Sequence, residues 1–431
     1  MYRSGSCGVE PDSRPPRVYA CLMLVLVAGI TTGTSQPCRA NGIHGEILYR
    51  GGVGLTGPGE GKAVLSDKLV ELGWETSAGL GWNLAATGWY RHEDRIEPDT
   101  YEKASIRRLE LSRDSLDWSV SLGKQNVVWG KMDAFPLLDV VNPRDTREFV
   151  LDDEVRTRMP LWLGTASYYR GDQEIQVVLV PDLETGRVPD RDARFDPTQG
   201  RLPVGVELDL ESVAEPDETP DNWEVGVKWT GRAGPWELSA LAYRGWSNQP
   251  VYFTEISGAN TLRVTPRAVR QSLFGISGDA PYGSTVWRFE LLYTPNGYRS
   301  FIDANGVPVQ REQDAVHAAL GMDWTPNNWL IGGQVFHFED DGEPANLAMP
   351  SGNYASGVIE RYWLQRRLKL RVFTMVGLDQ TDHWVTAELR YRLHGRYELT
   401  VGGDWLGGDQ DGFFGQFDDG DRLTAEISVQ F

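Results

Sequence analysis

Between Leu423 and Phe431 apolar and polar residues alternate without a slip. Leu423, Ala425, Ile427, Val429 and Phe431 fall on one face, and Thr424, Glu426, Ser428 and Gln430 on the other. A period of two is that of a β-strand with one face in an apolar medium and the other in water. The pattern recurs along the chain. Leu116, Trp118, Val120 and Leu122 alternate with Asp117, Ser119 and Ser121, and Trp223, Val225, Val227 and Trp229 with Glu224, Gly226 and Lys228. Trp287, Phe289, Leu291 and Tyr293 form another such face, as do Tyr397, Leu399 and Val401. Aromatics sit repeatedly at the ends of these faces, where membrane interfaces place them.

Eighteen candidate strands can be counted, beginning near Ile43, Lys68, Leu80, Ser105, Leu116, Leu163, Glu174, Asn222, Trp236, Arg267, Ser284, Asp314, Trp329, Gly357, Leu368, Trp384, Arg396 and Arg422. Their connections alternate in length. Tight turns such as Ser112 to Ser115, Arg170 to Gln173 and Gly231 to Pro235 alternate with long polar stretches. Among the long ones are Gln125 to Trp162, the acidic Pro181 to Asp221, Asn248 to Pro266, Thr294 to Gln313 and Gly407 to Asp421. Only the link near Asp379 to Asp382 departs from this rule. Short turns at one end and long loops at the other predict an all-β fold, a transmembrane antiparallel up-and-down barrel of sixteen to eighteen strands, with eighteen the count favoured. Closure satisfies the backbone within lipid and leaves no open edge.

Composition changes the picture at the N-terminus. The chain has 431 residues and a formal charge of -19, with 16 Trp, 16 Tyr, 14 Phe and 48 Gly. Arg3, Arg14 and Arg17 precede the apolar run Val18 to Ile30, and Cys38 and Ala40 are small residues suited to a cleavage site. Residues 1–40 therefore read as a secretory signal and 41–431 as a single barrel; the run is too short for a membrane-spanning helix. All three cysteines lie in the signal, and no apolar residue stands three places before Cys38, so no lipid anchor is read. Cleavage removes four Arg and two acids, which takes the charge to -21 and argues against nucleic acid as a partner.

Two stretches carry a resemblance. The final Ile427 to Phe431 resembles the C-terminal strand of Gram-negative outer-membrane barrels, whose terminal aromatic is read by the barrel-assembly machinery; the resemblance gives Phe431 that role. Leu122 to Asp145 resembles a segment of porin-like proteobacterial outer-membrane proteins of unassigned function. Gly123, Lys124, Gln125, Trp129, Gly130, Asp133, Asp139, Asn142, Pro143 and Asp145 carry that match. It implies a barrel in the outer membrane, among its lipid and lipopolysaccharide, and names no cargo.

The interior is where function is expected. Gln125 to Trp162 mixes apolar runs with charge, and apolar patches need cover. The segment is expected to fold into the barrel and present Lys131, Asp133, Asp139, Asn142, Arg144, Asp145 and Arg147 to the lumen; a surface loop packed on the rim is the plainer alternative. A basic ladder is read in Arg367, Lys369 and Arg371, joined by Arg390 and Arg392 on the next strand and Arg361 on the preceding one. On the lipid face each would cost about 2 to 4 kcal/mol at midplane, so the lumen is the inexpensive place. Such a stripe favours anions unless Glu388, Glu398, Asp404 and Glu426 neutralise it across strands.

Asp409, Asp411, Asp418 and Asp419 could offer oxygen ligands to a divalent cation, but they lack calcium-loop spacing and read more simply as a solvated acidic loop. No catalytic or cofactor motif is present, and Asp382 beside His383 lacks a partner nucleophile, so neither an enzyme nor a cofactor is expected. The reading is a channel narrowed by its infolded loop and lined with Arg and Lys. An export exit for hydrophobic or polymeric compounds working with a periplasmic partner, and a surface adhesin or structural barrel, are the alternatives.

Overall fold

The computed structural model describes residues 42–431 apart from 95–100, 191–192, 197–206, 212, 214–215, 218, 257–260, 303–307, 340–349, 394 and 411. Residues 1–40, for which a signal is expected, and Asp411 lie outside the described residues.

The strands run, in chain order, β1 (Gly42–Gly54), β2 (Ala63–Gly79), β3 (Trp82–Glu93), β4 (Tyr101–Asp114), β5 (Trp118–Gln125), β6 (Leu161–Arg170) and β7 (Gln173–Val180). There follow β8 (Glu207–Leu210), β9 (Glu224–Ala233), β10 (Trp236–Trp246), β11 (Val251–Ile256), β12 (Thr261–Arg267), β13 (Arg270–Tyr282) and β14 (Thr285–Ile302). The last seven are β15 (Pro308–Trp324), β16 (Trp329–Phe338), β17 (Gly352–Trp363), β18 (Leu368–Gly377), β19 (Asp382–Arg392), β20 (Tyr397–Gly408) and β21 (Arg422–Gln430). All but β8, β11 and β12 form one 18-stranded sheet. It closes because β1 pairs antiparallel with both its neighbours, Ile47 standing opposite Val70 on β2 and Val429 on β21.

The outer skin is apolar. Ile47, Leu122, Val177, Val225, Ile276, Val335, Leu389 and Ile427 all stand exposed on it. A closed sheet with such a surface is matched to hydrocarbon, because its backbone is satisfied internally and its edges are gone. The opposite face buries Ser239, Ser277, Glu290, Thr386 and Asp404. Phe431 finishes the seam: its backbone exchanges hydrogen bonds with Gly45 at 2.8 and 3.0 Å, and its ring lies where a side chain at position 45 would collide.

Three of the long stretches are partly strand, and Pro181 to Asp221 contains β8. The Asn248 to Pro266 link contains β11 and β12, which pair antiparallel, and β12 pairs parallel with β8 to make a small separate sheet. Thr294 to Gln313 continues β14 and β15 well beyond the barrel wall. Its Pro-Asn-Gly reads as a turn, but Asn296 takes a positive φ of 49° and makes a bulge instead. Asp314 secures it by accepting from the Asn296 amide at 3.0 Å and the Tyr293 hydroxyl at 2.7 Å.

Candidate functional site: the barrel interior

The segment between β5 and β6 is tied first to itself. Asn142 joins its two ends, its Oδ1 accepting from the Val127 amide at 2.7 Å and its Nδ2 donating to the Met159 carbonyl at 2.9 Å. Asp139 Oδ1 accepts from the Trp129 and Gly130 amides, both at 2.9 Å, while Oδ2 meets Arg144 at 3.4 Å and also Arg158. Asp145 accepts from the Arg147 guanidinium at 2.9 and 2.6 Å. Burial raises the Asp145 carboxyl, but Arg147 and then Arg187 outweigh it and hold the group below its ordinary range. Asp139 and Asn142 thus hold the segment's own backbone; Gly123, at the end of β5, has a φ of 132°, and a side chain there would strike the Leu109 carbonyl.

The wall then holds the segment. Trp129 donates its indole N–H to Gln176 on β7 at 2.7 Å and meets Tyr243 on β10 edge-on at 6.1 Å. Lys131 pairs with Glu237 on β10 at 3.1 Å and with Asp279 on β13. Asp133 accepts from Arg288 on β14 and Gln334 on β16. Glu290 on β14 is only 1% exposed, and accepts from the amides of Lys131, Met132, Leu137 and Leu138. Arg107 on β4, an extra residue where the pairing with β3 bulges, donates to the Val155 and Arg158 carbonyls at 3.1 and 2.6 Å. The segment's partners thus lie on β4, β7, β10, β13, β14 and β16 of the closed sheet.

The second half of the segment is held by charge. Glu148 meets Arg50 on β1 at 2.9 Å, Arg91 on β3 at 3.2 Å and Arg422 on β21 at 3.0 Å. Asp152 meets Arg50 and Arg91, both at 3.0 Å. Burial raises the Asp152 carboxyl, yet Arg91, Arg50 and Arg156 together drive it far below the ordinary carboxylate range. Asp67, Glu93 and Glu148 are the acids that gather closely enough among the described residues to suggest a metal, but Arg50 and Arg91 already hold Asp67 and Glu148.

The last loop also turns inward. Asp382, at the start of β19, accepts from the Phe413, Phe414 and Gly415 amides at 3.1, 2.8 and 2.8 Å and from the Tyr354 hydroxyl at 2.6 Å. Asp382, which in sequence only stands beside His383 without a partner nucleophile, is a buried clasp. The loop's Phe413, Phe414 and Phe417 pack with Phe135 and Phe149 of the first segment, with Phe195, and with Tyr354 and Trp384 of the wall. Asp418 and Asp419 lie in a short 3-10 turn here, and neither they nor Asp409 join a ligand group among the described residues.

The basic ladder divides. Lys369 and Arg371 reach Glu360 at 3.0 and 3.4 Å, Arg390 reaches Glu398 at 3.4 Å and Glu388 at 3.8 Å, and Arg392 reaches Glu398 at 3.3 Å. Arg361 is a correction. Tyr354, Ser356, Val358 and Glu360 take the inner face of β17, so alternation sends Arg361 outward with Ile359 and Trp363. There its guanidinium lies 4.2 Å over Trp329 and 5.6 Å over Trp363, at the short-turn end of the wall. A cation at the interface can carry its head to water and stack on aromatics, so the midplane penalty that argued for the lumen does not apply. Arg367 is a second correction. It ends the turn before β18 and donates to the Arg392 carbonyl at 3.1 Å and the Tyr391 hydroxyl at 3.2 Å, away from the cavities.

Two cavities remain. The larger, about 970 Å³, is lined by eight Arg or Lys and eleven Asp or Glu. The smaller, about 670 Å³, lies toward the short-turn end and has four basic and six acidic side chains. They share Asp153, Arg156, Arg390 and Glu426, and Arg156 stands 3.6 Å from Glu426. The acid excess reverses the sign expected from the ladder alone. Pattern had marked the ladder, but the arginines of β1, β3 and β21 and the anchors Glu290 and Asp382 stand singly in their strands and gave no signal.

No protein-family model matches this chain, and no curated protein matches its sequence. Solved structures do. Pseudomonas aeruginosa OccK5 (OpdH) superposes with a TM-score of 0.50 at 12% identity, over 90% of this chain and 96% of that one. Salmonella typhi OmpF in complex with daunomycin gives a TM-score of 0.42 at 9% identity, over 90% and 97%. A mutant of the Rh. blastica porin gives 0.40 at 12%, over 91% and 99%. At these identities the likeness concerns the fold, a closed antiparallel β-barrel; the OccK5 match carries it.

Proposed function

We propose that this protein is a porin-like channel of the outer membrane, delivered by an N-terminal signal at 1–40 and inserted with Phe431 as its assembly signal. The observation that supports it is the pair of cavities meeting at Arg156, Arg390 and Glu426 inside a barrel whose skin suits hydrocarbon. In this reading the segment between β5 and β6 narrows the passage, and the last loop covers it from the long-loop side. Selectivity is modest and cationic, because acids outnumber bases along both cavities.

The test is a planar bilayer recording on refolded residues 41–431, with the barrel's integrity checked by heat-modifiable mobility. Discrete conductance steps are expected, with a reversal potential in a KCl gradient on the cation side. A folded barrel that inserts and passes no current would overturn the reading and turn attention to an adhesin or structural role, while conductance that appears only with a periplasmic partner would favour the export exit.

A further inference from the structure

Along the inner wall of β17–β19 the chemistry changes in one direction. Lys369 and Arg371 share the single carboxylate of Glu360, which also accepts the Tyr362 hydroxyl at 2.6 Å. The Arg371 guanidinium stands 5.4 Å over the ring of Phe373. Phe373 in turn meets Trp384 at 4.8 Å, and the indole N–H of Trp384 is buried with no hydrogen-bond partner. Phe413 and Phe149, 4.8 Å apart, continue the aromatic surface. Phe149, Phe373, Trp384, Phe413, Lys369 and Arg371 all line the larger cavity.

Each end of this wall asks for something different. Aromatic faces favour a flat apolar body. Two cations on one acid leave positive charge to spare, and across the ion pairs of β17–β20 the four cations Lys369, Arg371, Arg390 and Arg392 face three acids, Glu360, Glu388 and Glu398. The acid excess of the cavity as a whole comes from elsewhere, in part from Asp152 and Asp404, which are committed to arginines. A buried N–H without an acceptor marks a place where a ligand oxygen would be welcome.

We infer that the larger cavity binds an amphiphile, with a flat aromatic or apolar body against Phe373, Trp384 and Phe413 and one acidic group held between Lys369 and Arg371. The inference rests on the channel reading and names the class of solute it passes.

The experiment compares 1-naphthalenesulfonate with 1-propanesulfonate as blockers of single-channel current, alongside calorimetric titration of the folded barrel in detergent. The naphthyl compound is expected to bind at about tenfold lower concentration, the equivalent of about 1.4 kcal/mol. Phe373→Leu should erase that difference. Lys369→Gln with Arg371→Gln should weaken both sulfonates. Equal affinity for the two sulfonates, or variants indistinguishable from the parent in titration, would overturn the site even if the channel conducts. A silent barrel that still binds the naphthyl compound with these dependences would instead sink the channel reading and leave the site standing.

Discussion

The two halves of the segment between β5 and β6 are held by different means. Its first half is gripped by one carboxylate, Glu290, that accepts four backbone amides. Its second half presents two carboxylates, Glu148 and Asp152, to arginines from β1, β3 and β21. The four amide donors carry no net charge, so the first grip rests mainly on backbone geometry around one carboxylate, with the Lys131 and Asp133 ion pairs to Glu237, Asp279 and Arg288 beside it. The second depends on a balance of full charges in a desolvated space, where removing one partner leaves the others buried and uncompensated. The segment thus has one attachment built mainly on backbone amides and one built on buried ion pairs.

The largest expected effect comes from breaking the electrostatic one. Glu148→Gln should loosen the second half by about 3 to 5 kcal/mol, because three guanidinium groups lose their shared counter-charge. Amide exchange over residues 147–158 measures it, and equal acceleration over residues 131–138 would refute the independence of the halves. Glu290→Ala should cost the first half about 3 kcal/mol through orphaned amides, with faster exchange confined to 131–138 and a larger open-channel current. Asp382→Asn should free the last loop by about 1 to 2 kcal/mol, since one amide oxygen still accepts; protection at residues 413–415 reports it.

Acid probes the second half without mutation. The folded Asp152 carboxyl sits below its unfolded value, so its contribution is full above about pH 4 and is lost as pH falls from there toward the folded value. Exchange over residues 147–158 should therefore rise below pH 4, and Asp152→Asn should flatten that rise. The smallest effect is predicted for Arg361→Gln. At the interface it should change stability by less than about 1 kcal/mol and leave ion selectivity untouched, whereas Lys369→Gln should shift the reversal potential further toward cations.

Much of the wall was legible. Leu423 to Phe431 and its counterparts alternate because each residue faces either hydrocarbon or the interior, a local rule that survives in sequence. The bulge at Asn296 and the strands β11 and β12 were not legible, since turn-forming residues serve a bulge as readily as a turn. Arg361 shows how narrow the margin is. The residues flanking it alternate less cleanly, and a shift of one register reverses which face a side chain occupies.

The sequence by itself determined eighteen strands and the parity of most of them. Those follow from periodicity and composition, which act over a few residues at a time. Only the tertiary structure decided that Arg50, Arg91 and Arg422 converge on Glu148, that Glu290 and Asp382 hold backbone they are far from in the chain, and that inward cations are outnumbered by acids. Arg422 and Glu148 are separated by 274 residues and meet because closing the sheet brings β21 beside β1. Charge balance in a closed lumen is a sum over every strand, and no single stretch of sequence contains it.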